Sequence, residues 1–244
     1  MRLYILGDIH GQLDQLRRAH RLIAEDKARV ADPEAPVVHL GDLVDRGPDS
    51  RGVLDHLIAG RAAGAPWIVL KGNHDRMFAR FARNGLAHDT NVKSGKSWLH
   101  PVLGGTATLA SYGIAAEDGD FAPAAEAAAR TVPEAHLNFL ESLPLWFEAP
   151  GLLCVHAGIR PGRALTAQDT EDLLWIREPF LSDARSHGRL VVHGHTALDA
   201  PTHFGNRVDL DGGAGYGRPL VPAVFEGPHA AILTETGRRP LTPA

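Results

Sequence analysis

The sequence predicts an α/β fold, with βαβ units in the N-terminal half and mainly strand in the C-terminal half. Three observations carry this expectation. Short apolar runs at 3–6, 37–40 and 67–70 are each followed by a stretch of helical periodicity. Each run ends in a cluster of glycine with an acid or amide: Gly7-Asp8, Gly41-Asp42 and Gly72-Asn73. From about residue 152 onward short apolar runs recur with little helical pattern, which predicts a second sheet packed on the first.

Leu3-Tyr4-Ile5-Leu6 reads as the first strand, and Leu13, Leu16, His20 and Ile23 recur behind it at helical spacing. Pro33 and Pro36 mark the way to the strand Val37-Val38-His39-Leu40. Pro48 and Ser50 look like a helix start, with Val53, Leu54, Leu57 and Ile58 on one face. Trp67-Ile68-Val69-Leu70 is a third strand; Met77, Phe78 and Phe81 suit the helix after it. Residues 84–145 differ. Glycines at 104, 105 and 113 break them up, and helices are expected over 123–130 and 133–142. This mainly helical insertion either lies over one side of the site or packs on the core. Further strands are expected at 152–155, 190–192, 207–210, 221–225 and 230–234, and a short helical segment at 172–177.

Composition narrows the function. The chain has 244 residues, 44% of them apolar, with no repeat or linker-like tract, so one domain over 1–244 is expected. A formal charge of -4 argues against a general nucleic-acid or anionic-membrane binder. Cys154 is the only cysteine and sits in an apolar strand, so no internal disulfide forms and a reducing compartment is expected. No run is long enough to span a bilayer and the N-terminus lacks signal-peptide character, which points to the cytoplasm. Nothing in the sequence speaks to oligomeric state.

In parallel sheets, ligands bind beyond the carboxyl ends of the strands. Asp8, His10, Asp42, Asn73, His156 and His195 all fall there. They offer oxygen and nitrogen only, which suits manganese, iron or zinc. Six such groups exceed one catalytic metal and suit two, roughly 3.5–4 Å apart, with Asp42 as the natural bridge. Asp8 and His10 share a side if the backbone is extended. Asn73 and His74, being adjacent, point opposite ways under the same assumption. That frees His74 for proton transfer, with Asp45 to orient it. Arg46 can meet a phosphate with two parallel hydrogen bonds.

The motifs Gly7-Asp8-Ile9-His10-Gly11, Gly41-Asp42-Leu43-Val44-Asp45-Arg46-Gly47, Gly72-Asn73-His74-Asp75, His156-Ala157-Gly158 and Gly194-His195-Thr196 resemble those of the calcineurin-like metallophosphoesterases. More narrowly they resemble the phosphoprotein phosphatase branch, which includes bacteriophage lambda phosphatase and bacterial serine/threonine phosphatases. Ala110-Ser111-Tyr112-Gly113 and Leu174-Trp175-Ile176-Arg177-Glu178 add to the likeness. The resemblance implies a two-sheet β sandwich flanked by helices, α/β/β/α. It implies Asp8, His10 and Asp42 on one metal, and Asp42, Asn73, His156 and His195 on the other. It implies that Arg46 and Arg177 grip phosphate, with Asn73 and Tyr216 also on the substrate side, and that His74 and Asp45 supply the acid.

Two departures stand out: Asp75 where these phosphatases have glutamate, and Asp211-Gly212-Gly213-Ala214 where they have Asp-Thr-Gly-Ala. Neither is expected to touch a ligand; the second bears on the Tyr216 loop and substrate choice. Ala197 stands where nuclease and diesterase relatives carry a second histidine, which points to monoesters. His193 either supports the site or only ends a strand. Trp98 and Trp175 are read as core; His20, His56, His136 and the other histidines outside motifs are read as surface or packing residues.

The expected activity is a manganese-dependent phosphomonoesterase of serine/threonine type. A hydroxide made available by the cations attacks phosphorus in line, on a phosphoprotein or small phosphate ester. The alternative is hydrolysis of dinucleoside polyphosphates such as diadenosine tetraphosphate. An inactive phosphopeptide-binding scaffold is disfavoured by the presence of His74 and Arg46.

Overall fold

Strand β1 (Arg2–Leu6) is buried on both faces. Tyr4 and Leu6 join a core shared with helices, whereas Leu3 and Ile5 join a core shared with another sheet. A strand covered on both sides reads as an unbroken apolar run, which is why its sequence does not alternate with polar residues. The computed structural model describes residues 1–227 and 229–243.

From β1 the chain runs through α1 (Leu13–Arg29), β2 (Val37–His39), α2 (Ser50–Ala62) and β3 (Trp67–Val69) to α3 (Asn73–Asn84). β1, β2 and β3 pair in parallel, with Leu6 opposite His39 and His39 opposite Val69. Their carboxyl ends therefore open on one crevice. Asp49 starts α2 by accepting the Gly52 N–H at 2.7 Å, which satisfies an otherwise orphaned donor.

The stretch 84–145 carries α4 (Gly105–Ser111), α5 (Phe121–Thr131) and α6 (Glu134–Ser142). It is mainly helical, and α5 and α6 pack against α3. The sequence does not suggest α4, because its glycine pair reads as a break. Gly104 adopts φ 85°, closed to most side chains, and starts the helix from that turn.

The second sheet is built from β4 (Trp146–Ala149), β5 (Leu152–Val155), β6 (Leu190–His193), β7 (Thr202–His203) and β8 (Arg207–Asp209), with α7 (Thr170–Trp175) between β5 and β6. Its order is β4-β5-β6-β8-β7. The last strands, β9 (Ala223–Glu226), β10 (His229–Thr234) and β11 (Gly237–Pro240), return to the first sheet, where β9 pairs antiparallel with β1. That sheet has the order β11-β10-β9-β1-β2-β3. The second sheet expected from the later strands is present, but β9, β10 and β11 join the first. A buried strand's pattern records that both faces are covered, not which sheet it joins.

Leu3, Ile5, Val38, Leu40 and Leu70 meet Leu152, Cys154, Val192, Val208 and Leu210 between the sheets. Cys154 is fully buried there, and burial pushes its thiol pKa up. The outer face of the first sheet carries most of the helices. The outer face of the second is covered by α7 and by loop residues such as Ile159 and Phe180. The architecture is α/β/β/α with one thick and one thin helical layer. No described helix is long and apolar enough to cross a membrane.

Three histidines join α1, α2 and β2. The His39 Nδ1–H donates to the Ile68 carbonyl at 3.2 Å. His39 Nε2 must then accept from His20 Nε2 at 2.9 Å, and His20 Nδ1 from His56 Nε2 at 2.9 Å. One carbonyl, which can only accept, sets the direction of the whole chain. Burial lowers His39 to about 4 and His20 to about 2. The unfolded chain takes up these protons below about pH 6.5 and the folded chain does not, so stability falls with falling pH. For His39 the loss is about 2 kcal/mol by pH 5. His39→Gln, which can still accept from His20, should be less stable than wild type at pH 7.5, and the gap should narrow at pH 5. Urea denaturation at both pH values checks this; a constant gap would contradict a neutral His39.

Candidate metal centre

The crevice collects residues from both sheets. Asp8 and His10 follow β1, Asp42, Asp45 and Arg46 follow β2, and Asn73 and His74 open α3. His156 follows β5, Arg177 follows α7, and His195 follows β6. Five of these, His10, Asp42, Asp45, Arg46 and His195, have positive φ; among the described residues Ala31 is the one other non-glycine residue that does. Such backbone costs roughly 1–3 kcal/mol per residue and concentrates at functional sites.

His10 Nδ1–H donates to the Val44 carbonyl at 2.8 Å, which leaves the Nε2 lone pair facing the crevice. That atom is 3.6 Å from Asp42 Oδ2 and 4.0 Å from Asp8 Oδ2. On the other side His156 Nδ1–H donates to the Leu40 carbonyl at 2.9 Å. His156 Nε2 lies 2.8 Å from Asn73 Oδ1 and 3.4 Å from Asp42 Oδ1, and His195 Nδ1 lies 2.9 Å from Asn73 Oδ1. Asp42 therefore turns one oxygen to each group. All six candidate ligands converge.

The local reasons differ from those expected. His10 reaches Asp8 through a turn at φ 47°, not by extended alternation. Asn73 and His74 are the first two residues of α3, not an extended pair. Their side chains diverge by the helical rotation between neighbours.

The donor set fits divalent cations. With the amide oriented as here, His156 Nε2, Asn73 Oδ1 and Asp42 Oδ1 are three acceptors facing one another without a shared proton. Burial, then repulsion from Asp211 and Asp42, pushes Asp8 well above the carboxylate range. A cation removes both penalties. Ligand atoms of His10, Asp42 and His74, and of Asp42, His156 and His195, lie within 4.8 Å of one another. His74 is the odd member, because its Nδ1 is committed to Asp45 at 2.6 Å.

Asp45 also accepts from Thr108 Oγ1 and Trp98 Nε1, each at 2.7 Å. Burial pushes the Asp45 carboxyl up to about 7 and the His74 imidazole down to about 3. Three converging donors hold Asp45 as the acceptor, so His74 carries its proton on Nδ1. His74 Nε2 accepts from Arg46 Nη2 at 3.1 Å, and Arg46 Nη1 lies against His10 Nε2. Thr108 is missed by the sequence reading, and Trp98, read as core, has a polar task as well. The insertion thus both packs on the core and braces the site. Trp175, also read as core, lines the cavity beside the metal candidates.

Asp75 and Asp211 matter more than expected. Asp75 accepts Leu43 N–H and Gly72 N–H, both at 2.8 Å, and so ties together the loops that carry Asp42 and Asn73. Asp211 loads its charge on Asp8, and Gly215 of the same loop packs on the His10 ring. The signal for Asp211 was present: an acid beside glycines at the end of an apolar run, as in the first three clusters. His193 is the buried last residue of β6. Its Nδ1–H donates to the Gly194 carbonyl at 3.0 Å, and its Nε2 accepts from Arg207 at 3.2 Å.

Arg46, Arg177, Trp175 and Tyr216 line a cavity of about 670 Å³ that opens on Asp42, Asn73, His74 and His195. Tyr216 lies over the Arg46 guanidinium at 4.9 Å. Arg177 makes a single long contact, to the His195 carbonyl at 3.5 Å.

A side chain at residue 194 would place its Cβ 2.1 Å from Asp8 Oδ1. Gly194→Ala should therefore bind manganese at least ten-fold more weakly in calorimetry while keeping its circular dichroism spectrum. Unchanged affinity would show that Asp8 is not part of the metal centre.

The calcineurin-like phosphoesterase family model matches residues 1–221. An asymmetrical bis(5'-nucleosyl)-tetraphosphatase, PrpE of Anoxybacillus flavithermus, is 23% identical over 237 residues, covering 88% of this chain and 87% of that protein. Serine/threonine-protein phosphatase 2 of Escherichia coli is 33% identical over 101 residues, covering 40% of this chain and 39% of that protein. A solved structure of a candidate diadenosine tetraphosphatase superposes with a TM-score of 0.66 at 22% identity, over 100% of this chain and 95% of the other. That likeness shows the fold.

Proposed function

The chain belongs to the calcineurin-like phosphoesterase family, and from that premise we propose that it hydrolyses dinucleoside polyphosphates. The observation that carries the chemistry is the convergence of Asp8, His10, Asp42, Asn73, His156 and His195, with Asp42 facing both groups. The family uses a dinuclear metal centre, and these residues would hold its two cations, manganese in our reading, with iron or zinc fitting the same donors. Bound there, the cations would supply Lewis acidity and an activated water.

The chain's own residues do the rest. Arg46 and Arg177 bind the phosphoryl oxygens and take up charge as it develops. Asn73 orients the group from the wall beside them. A lone pair serves one partner, so a cation on His10 Nε2 and the Arg46 guanidinium exclude each other. With that lone pair taken, the guanidinium would be free to bind a phosphate. Asp45 fixes the His74 ring with its proton on Nδ1, so Nε2 faces the crevice as a lone pair that would take the proton given up by the attacking water and pass it to the leaving oxygen.

Two points support this substrate class. The tetraphosphatase relative spans most of the chain, whereas the serine/threonine phosphatase matches less than half of it. The cavity also combines aromatic and cationic walls. The second reading is a serine/threonine-type phosphomonoesterase. The His74–Asp45 pair favours it, because an alkoxide leaving group needs a proton and a nucleotide leaving group needs one far less.

Protein treated with chelator should lose activity and regain it with manganese. Loaded protein should cleave diadenosine tetraphosphate with kcat/KM at least ten-fold above that for a phosphoserine peptide. The reverse ranking would select the second reading, and full activity without metal would remove both. His74→Asn should slow phosphoserine hydrolysis by about 10²–10⁴ and nitrophenyl phosphate hydrolysis much less, with metal content unchanged. Equal slowing of both would mean that His74 acts on binding.

A further inference from the structure

The cavity is larger than one phosphoryl group requires, and its outer wall has a chemistry of its own. Among the described residues the exposed large apolar side chains are Met1, Leu86, Val102, Phe204 and Tyr216. Val102 and Tyr216, 55% and 58% exposed, both line this cavity. Both also touch the same arginine. Tyr216 stacks on the Arg46 guanidinium, and Arg46 Nε donates to the Val102 carbonyl at 3.4 Å. An apolar and aromatic ledge thus stands directly beside the group that grips phosphate.

The ledge is held in a defined turn without being buried. Tyr216 lies in a single turn between Gly213 and Gly217, at φ 84° and 83°, and its N–H donates to the Gly213 carbonyl at 2.9 Å. Gly215 packs against both His10 and Arg46, which sets the turn beside the reacting end of the cavity. Other lining residues add charge. Arg218 is paired with Asp199 at 3.0 Å, whereas Lys93 has no carboxylate partner among the described residues.

We propose that Tyr216 and Val102 form a stacking ledge for the nucleoside next to the phosphate held by Arg46, and that Lys93 holds phosphates farther along the polyphosphate chain. The proposal rests on the dinucleoside polyphosphate reading and assigns its specificity to particular residues. An exposed ring face accepts any base, and stacking of this kind is worth roughly ten-fold or more in affinity. A free lysine beside the cavity has no task in hydrolysing a single phosphate ester. It has one if further phosphates follow.

The test uses manganese-loaded protein. Calorimetry gives Kd for AMP and for inorganic phosphate, and kinetics give KM for diadenosine tetraphosphate. Tyr216→Ala should weaken AMP at least five times more than it weakens phosphate, and Tyr216→Phe should restore AMP binding to within about two-fold. Lys93→Ala should raise KM for the tetraphosphate at least five times more than it raises Kd for AMP. Equal losses for AMP and phosphate in Tyr216→Ala would overturn the ledge, because the ring would then be acting only through Arg46. No loss would overturn it too, as would tighter binding of a phosphoserine peptide than of AMP with the same dependence on Tyr216. If wild type fails to cleave the tetraphosphate but keeps a Tyr216-dependent preference for AMP, the substrate reading fails and the ledge stands.

Discussion

Everything around the crevice is organised by the Asp42 carboxylate. Oδ2 faces His10 at 3.6 Å, and Oδ1 faces His156 at 3.4 Å while accepting the His74 N–H at 2.9 Å. To sit there Asp42 adopts φ 49° on a strand end, and Gly72 must lack a side chain, since its Cβ would fall 2.1 Å from Oδ1. Burying such a carboxylate beside Asp8 is costly unless positive charge meets both. The fold supplies some of it from the N-terminus of α3, whose His74 N–H donates to Asp42. The imidazoles add none, because their inward nitrogens are lone pairs. The balance falls to cations.

The second constraint is that the hydrogen-bonded His74–Asp45 pair is built from distant segments. Asp45 comes from the loop after β2, His74 from the start of α3, and Thr108 and Trp98 from the insertion. Trp98 at the same time packs on Phe78 and Phe81 of α3, with ring centroids 5.6 and 4.8 Å apart. The hydrogen bonds that fix Asp45 are therefore held by the packing of the insertion on the core. Damage to that packing should reach the chemistry before it reaches the metal ligands. This is why the two views of the insertion, as cover for the site or as core packing, describe the same contacts.

Much of the site was legible in the sequence because its chemistry is attached to strand ends. A glycine and an acid or amide behind an apolar run give both the address and a candidate ligand, and Asp8, Asp42 and Asn73 were placed at the crevice that way. The route to convergence was not legible. Positive φ at His10, Asp42, Asp45, Arg46 and His195 is imposed by tertiary contacts that local propensity does not record. The same limit explains the strands. β9 looks like any doubly buried strand, and only its pairing with β1 reveals its sheet. β11, Gly-Arg-Arg-Pro, is a polar edge strand, and β7 is two residues long, so neither leaves a periodic trace. Trp98 carried an apolar signal that was correct and incomplete: its ring is core while its N–H serves Asp45.

The division of labour between sheet ends and loops bears on how one centre can serve different substrates. Asp8, Asp42, His156 and His195 stand at the ends of parallel strands, where register fixes them. The outer wall comes from loops: 91–93 and 102–103 in the insertion, and the Tyr216 turn. Loops tolerate change because few buried contacts cross them. A change at Asp42 disturbs the charge balance of two groups at once, whereas a change at Val102 or Lys93 alters only what the cavity admits. The candidate metal ligands thus belong to the sheet ends, and the outer lining of the cavity to the loops. The coupling between them is Arg46, whose one end reaches His10 and His74 while its flank carries Tyr216.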